Sequence, residues 1–141
     1  VVQEMVIALR ERGVNAYYGV HAVAGRMPGH MNVLLAEANV PYELIVEADE
    51  VNRHAPNVDV MMVVGANDVV NPAARDDPKS SLYGMPIINA DYARQVFFLK
   101  RSMRPGFAGI ENELLFNEKT QLLFGDAKES VSKVVSALKE V

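Results

Sequence analysis

A doubly wound parallel α/β sheet is the fold this sequence predicts, and three observations predict it. Strand-like and helix-like runs alternate along the chain, and Val58 to Val64, apolar but for Asp59, is a run of the kind buried on both faces of a parallel sheet. Glycine-bearing loops also follow strand candidates, at the sheet edge where such folds bind ligands. With 141 residues, half of them hydrophobic, the chain is one domain's worth and can bury a core.

The elements follow in order. Val1 to Arg12 places apolar residues at Val2, Met5, Val6 and Leu9, the spacing of one helix face, and Gly13 supplies the stop. Asn15 to Val20 reads as a short strand. After a glycine-rich loop, Met31 to Asn39 reads as a helix that ends before Pro41, because the residue ahead of a proline is turned away from helical geometry. Tyr42 to Val46 is a second strand candidate, and Val58 to Val64 is a third, expected at the centre of the sheet. Beyond the loop Gly65 to Pro72, Met85 to Asn89 and Gln95 to Lys100 are further short strands, separated by a polar stretch read as a helical turn. Thr120 to Phe124 is the last strand. Asp126 with Glu129 forms the acidic variant of a capping box, and Val131, Val134, Val135 and Leu138 give the final helix one apolar face. There is no internal repeat or low-complexity segment.

Composition narrows the chemistry. The chain has no cysteine, so thiol catalysis, disulfides and thiolate metal sites are excluded. His21, His30 and His54 lack a metal-ligand spacing, and no metal site is expected. No run approaches about 18 consecutive apolar residues and no signal-peptide pattern is present, so the expectation is a soluble piece that does not cross a membrane unaided. The net charge of −4 argues against a general nucleic-acid binder and makes the basic run Lys100-Arg101-Ser102-Met103-Arg104 stand out. Met27, Met31, Met61, Met62 and Met85 read as core packing, and His30 as a capping or structural residue.

Three loops carry the candidate site. Val23-Ala24-Gly25-Arg26-Met27-Pro28-Gly29-His30 combines two glycines and a proline, which fix a compact backbone path, with an arginine whose planar fork of donors suits a phosphate. Gly65 to Pro72 carries Asp68, which has two readings. It could contact the redox end of a cofactor or titrate with its state, but the spacing alone favours an Asx-turn residue satisfying local amides. Arg101 to Gly109 follows the strand that ends at Lys100. Together the three loops would line a long crevice, better suited to a dinucleotide than to a mononucleotide. Lys100, Arg101 and Ser102 offer two cations and a hydroxyl, the chemistry of a ribose phosphate, although Lys100 and Arg101 read equally as charges that solvate a strand end. Gly106-Phe107-Ala108-Gly109 could fold over a bound cofactor as a lid.

Longer motifs add a resemblance. Val23 through Ala38, Gly65-Ala66-Asn67-Asp68, Asn71-Pro72-Ala73-Ala74, Gly84-Met85-Pro86, Lys100-Arg101-Ser102-Met103 and Leu123-Phe124-Gly125-Asp126-Ala127-Lys128 look like the NADP(H)-binding domain, domain III, of proton-translocating nicotinamide nucleotide transhydrogenase, over nearly the full length of the chain. The resemblance implies a Rossmann-like three-layer α/β/α domain that protrudes from a membrane-spanning domain II. It would hold NADP(H) while domain I holds NAD(H), with hydride passing directly between the nicotinamides and proton passage driving NADP⁺ reduction. The location implied is the cytoplasmic face of a bacterial inner membrane or the matrix side of a mitochondrial one.

The resemblance also implies roles for residues. Val23, Ala24, Gly25, Arg26, Met27 and Pro28, with Gly65, Ala66, Asn67, Asp68 and Val69, would line the nicotinamide and pyrophosphate region. Lys100, Arg101 and Ser102, continuing into Met103, would hold the 2′-phosphate; Arg104, Pro105, Gly106 and Phe107 would form the lid; Gly84, Asp126 and Ala127 would complete the contacts. Asp68 would be the acid linking redox state to proton movement. The family begins this domain with a strand and a glycine-rich turn that cradles the pyrophosphate, whereas Val1 already reads as part of the following helix. Residues 1–141 are therefore expected to be this domain without that strand and turn. Phe107 stands where the family usually has tyrosine, and Ala22 and Glu113 stand where it has prolines. The alternative from another class is a nucleotide-sensing or regulatory NADP(H)-binding domain with no hydride chemistry.

Overall fold

Helix α1 (Val2–Glu11) ends as its sequence dictates. The Gly13 N–H donates to the Arg10 carbonyl and the Val14 N–H to the Leu9 carbonyl, with Gly13 left-handed at φ 81°. This is a Schellman stop, where glycine avoids the Cβ clash. The computed structural model describes residues 2–21, 29–102 and 108–140. After α1 the order is β1 (Tyr18–Val20), α2 (His30–Glu37), β2 (Ile45–Glu47), α3 (Ala48–His54), β3 (Val60–Val64), α4 (Ala73–Asp76), β4 (Gln95–Lys100), β5 (Thr120–Phe124) and α5 (Ala127–Lys139), with short 3₁₀ turns between. The α2 exit repeats the Schellman pattern, with Asn39 at φ 63° in the glycine position.

All observed pairing is parallel. β1 pairs with β2, and β3, β4 and β5 form a second sheet in that order, with Val63 opposite Phe98 and Phe98 opposite Leu122. Alternation along β3 and β4 sends side chains to two cores. Val63, Val96 and Phe98 face one core with Leu114, Leu115, Ile88, Ala90 and Ala93, and Ala48 and Val51 of α3 pack against its edge. Leu99, with Met62, Val64 and Phe97, faces the other, built on Met5 of α1 and Val131 and Val135 of α5. Helical layers thus cover both faces of the sheet, the three-layer arrangement of a Rossmann-like α/β fold. α3 also spans to the first sheet. A Cβ on Gly19 of β1 would lie 3.1 Å from Val51 Cγ2, so strand and helix approach closely there and a larger residue would need Val51 to give by a few tenths of an ångström.

Four expectations change. β3 is less buried than its apolar run predicts: Val60 is 52% exposed and only Val63 is fully buried, because among the described residues only β4 pairs with it. Tyr42–Leu44 is a 3₁₀ turn after Pro41, and the strand begins at Ile45. Met85 to Asn89 is not a strand, since its backbone groups bond to side chains and to another loop instead of a ladder. Asp126 occupies the N-cap position of α5 but makes no side-chain cap bond; its Oδ1 accepts from the Arg101 guanidinium instead.

Candidate functional site

The carboxyl ends of β3, β4 and β5 lie together because these strands are parallel and in register, so the loops that leave them meet. Gly65 leaves β3 at φ 68° with nothing within 4 Å of where a Cβ would stand, so its backbone borders open space. A ligand can therefore approach the main chain closely there. Asn67 follows at φ −147° and ψ −71°, and a 3₁₀ turn runs over Asp68–Val70.

Asp68 joins this loop to the next one. Its Oδ2 accepts the backbone N–H of Ala108 at 2.9 Å, across 40 residues of sequence, whereas its Oδ1 is buried with no hydrogen-bond partner. The Asx turn expected of Asp68 is made by Asn71, whose Oδ1 accepts the Ala73 N–H at 3.0 Å. An unpaired buried carboxylate oxygen is costly. It fits a group that receives a donor from a ligand.

At the end of β4, Lys100 is half-buried with its Nζ 5.7 Å from the Phe98 ring centroid. Burial pushes its ammonium below the usual lysine range, and the nearby Asp68 charge offsets part of that shift. Arg101 is different. Its side chain is 84% exposed and its guanidinium reaches Asp126 at 3.3 Å. This brings the β4 and β5 exits together through one hydrogen-bonded ion pair, and leaves most of the donor fork facing solvent. Ser102 is exposed beside it, and Ala127 opens α5 directly after Asp126.

Gly84 lies elsewhere on this side of the molecule. It sits at φ 90°, donates to the Ala74 carbonyl at 2.9 Å, and lines an open cavity of about 320 Å³ with Asn52, Arg75, Met85 and Asn89. The segment after it crosses between the two sheets. His21, at the end of β1, contacts the Pro86 carbonyl at 2.5 Å; Asn52 of α3 donates to the Ile87 carbonyl and accepts from the Asn89 N–H, each at 2.7 Å; the Ile88 N–H donates to Val69 at 2.8 Å. The first loop is thereby tied at His21 to the same assembly as Asp68.

Val23, Ala24, Gly25, Arg26, Met27 and Pro28 of the first loop, and Met103, Arg104, Pro105, Gly106 and Phe107 of the third, lie outside the described residues. Sequence reasoning passed over three asparagines that organise the site: Asn52, Asn71 and Asn112. Asn112 is 1% exposed, and its Nδ2 donates to Asn67 Oδ1 at 2.9 Å and to the Asn67 carbonyl at 3.0 Å. For Asn71 and Asn112 the signal was an Asn just ahead of a helical turn, where its side-chain oxygen accepts the N–H two residues on. Among the described residues no cluster of His, Asp and Glu is placed to hold a metal ion, and no helix is long and apolar enough to cross a membrane.

Comparison with known proteins bears on this arrangement. The family model for the NAD(P) transhydrogenase beta subunit matches residues 1–137. Two relatives from Rhodospirillum rubrum, both named NAD(P) transhydrogenase subunit beta, are 54% identical over 136 residues, which is 96% of this chain. The chain spans 29% of the length of each of those relatives.

Proposed function

This chain belongs to the NAD(P) transhydrogenase beta-subunit family, and from that premise we propose that residues 1–141 hold NADP(H) at the carboxyl edge of the β3-β4-β5 sheet. One observation carries the reading. Two parallel strands in register deliver Asp68, with one buried unpaired oxygen, and Lys100 and Arg101, with an open guanidinium fork, to a single edge beside the bare backbone of Gly65. Carboxylate, cations and open backbone are the donor and acceptor set that a phosphorylated dinucleotide requires.

When bound, NADP(H) supplies a nicotinamide that takes up or gives up a hydride. The protein's residues bind and orient. Gly65, Ala66, Asn67 and Val69 offer main chain at the β3 exit, and Arg101, with Lys100 and Ser102, takes the 2′-phosphate. Asp126 yields Arg101 to the incoming phosphate, a stronger partner for the guanidinium than one exposed carboxylate. Val23 to Pro28 and Met103 to Phe107 complete the enclosure, with Gly84 and Ala127 at its margins. Asp68 is the group through which protonation and cofactor redox state bias the same equilibrium.

The activity we propose is exchange of hydride between NADH, held by the NAD(H)-binding domain I, and NADP⁺ held here. It is coupled to proton translocation by the membrane-spanning domain II of the same enzyme. The domain sits on the cytoplasmic or matrix side of that membrane. The two parallel groups, β1 with β2 and β3-β4-β5 in that order, are compatible with parts of a doubly wound sheet, which supports reading residues 1–141 as domain III.

Mixing the protein with the NAD(H)-binding domain and both nucleotides tests the reading. Hydride exchange between NADH and an NADP⁺ analogue is the expected result. NADP(H) binding without exchange, in a mixture where an authentic transhydrogenase preparation is active, would instead assign a sensing or regulatory role.

A further inference from the structure

The turn that carries Asp68 is held from a distance by one buried side chain. We infer that Asn112 is a positioning residue for Asp68, and the inference rests on the cofactor site proposed above. Asn112 lies at the base of the arm that returns from the third loop, and its amide is used on both sides. Its Oδ1 accepts the Leu114 N–H at 3.0 Å, and its Nδ2 donates to the Asn67 carbonyl at 3.0 Å and to Asn67 Oδ1 at 2.9 Å. Backbone groups fix this orientation. A flipped amide would set oxygen against the Asn67 carbonyl and N–H against the Leu114 N–H.

The consequence passes through one peptide plane. The Asn67 carbonyl and the Asp68 nitrogen belong to the same rigid unit, so a donor on that carbonyl fixes the plane from which Asp68 starts. The far side of the turn is held separately: the Ile88 N–H donates to the Val69 carbonyl, and Asn71 Nδ2 donates to the Glu111 carbonyl at 3.2 Å. Asp68 Oδ2 then meets Ala108 N–H on the same returning arm that bears Asn112. Removing the Asn112 amide frees the Asn67–Asp68 peptide to rotate and moves the carboxylate relative to Lys100 and the open face at Gly65. No other standard side chain of this size presents a neutral donor and acceptor in one plane, apart from a protonated aspartic acid.

That exception supplies the test. In the intact protein that carries these residues, NADPH and NADH dissociation constants and thermal midpoints are measured across pH for wild type, Asn112→Ala, Asn112→Asp and Val135→Ala. Val135 is buried in the core on the other face of the sheet, with Met5, Leu99 and Val131. It is the control for a structural role. Asn112→Ala is expected to weaken NADPH binding about tenfold, the loss of one to two hydrogen bonds. Val135→Ala is expected to lower the thermal midpoint while changing NADPH affinity less than about twofold. For Asn112→Asp, the ratio of variant to wild-type dissociation constant should fall toward unity as pH drops through the carboxyl range and the introduced group regains a donor. This readout survives even where Asn112→Ala fails to fold. Equal NADPH losses in the Asn112→Ala and Val135→Ala proteins, or a pH-independent ratio for Asn112→Asp, would overturn the positioning role. A wild-type protein that does not prefer NADPH would overturn the cofactor assignment, and the positioning role with it.

Discussion

Replacing Arg101 with alanine separates a ligand contact from a structural one, because the structure sets the structural cost. The Arg101 side chain is 84% exposed, and its contact is a single 3.3 Å reach to Asp126, which is itself half-exposed. Ion pairs of that kind contribute about 0.2–1 kcal/mol. For a chain of this length, Arg101→Ala should therefore lower the thermal midpoint by less than about 4 °C. A charge-assisted contact to a phosphate contributes about 1.5–3 kcal/mol, which is about 10- to 150-fold in affinity. NADH carries no 2′-phosphate and should lose less than about twofold. Titrating wild type and variant with both nucleotides, followed by the fluorescence of the reduced nicotinamide, reads the two numbers in one assay. Arg101→Lys should recover the charge but not the fork, and fall between them. Equal losses for NADPH and NADH, or none for either, would refute the phosphate role and leave Arg101 as a charge at a strand end.

Other predictions concern the framework. Phe98 is fully buried at the centre of the core beneath Lys100, so Phe98→Ala should destabilise the fold by about 3–5 kcal/mol by urea titration; a loss under about 1 kcal/mol would contradict the central position of β4. Arg75 bonds Asp76 and Asp91, each through two nitrogens, and also Asn89, and it stacks 4.7 Å from the Tyr92 ring centroid. Its hydrogen bonds hold the Asp76 carboxyl below the usual carboxylate range. A carboxylate shifted down contributes stability that is present above its unfolded value and lost as pH falls through the lowered one. The stability gap between wild type and Arg75→Met should therefore shrink on acidification, and a gap of constant size would count against the pair. Lys100 gives the same direction from a different cause, because burial penalises its charged form, lowers its pKa and lets the unfolded chain bind the proton more readily. The stability of wild type relative to Lys100→Met should rise as pH climbs from the lowered value toward the ordinary lysine value; a flat difference would mean that the ammonium is not desolvated.

The sequence was most readable where local chemistry alone decides the structure. β4 at Gln95–Lys100 and β5 at Thr120–Phe124 fall where their residues predict, because a short β-branched and aromatic run in a parallel sheet needs little else. α1 and α5 follow their apolar faces, and Gly13 stops α1. Met85 to Asn89 was misread because its residues suit a strand, while its hydrogen-bond partners, His21, Asn52 and Val69, lie far away in sequence. Asp126 was placed correctly at a helix start, yet its carboxylate is engaged by Arg101, a choice that only the approach of two strand exits decides. The turn at Gly65, where β3 ends, was legible from its glycine, as was the strand end at Lys100 from its charge. The lacing of those loops by Asn71 and Asn112 was not, since an asparagine just before a helical turn looks the same whether its second amide atom meets water or another loop.

The central claim is that this sheet edge holds NADP(H). Its most direct test is a titration of the 141-residue chain, and of a form extended at its N-terminus, with NADPH and NADH, read by nicotinamide fluorescence. The account predicts NADPH-selective binding, tightest in the extended form. Failure of both forms to prefer NADPH would contradict the account and reduce the basic loop to a surface feature.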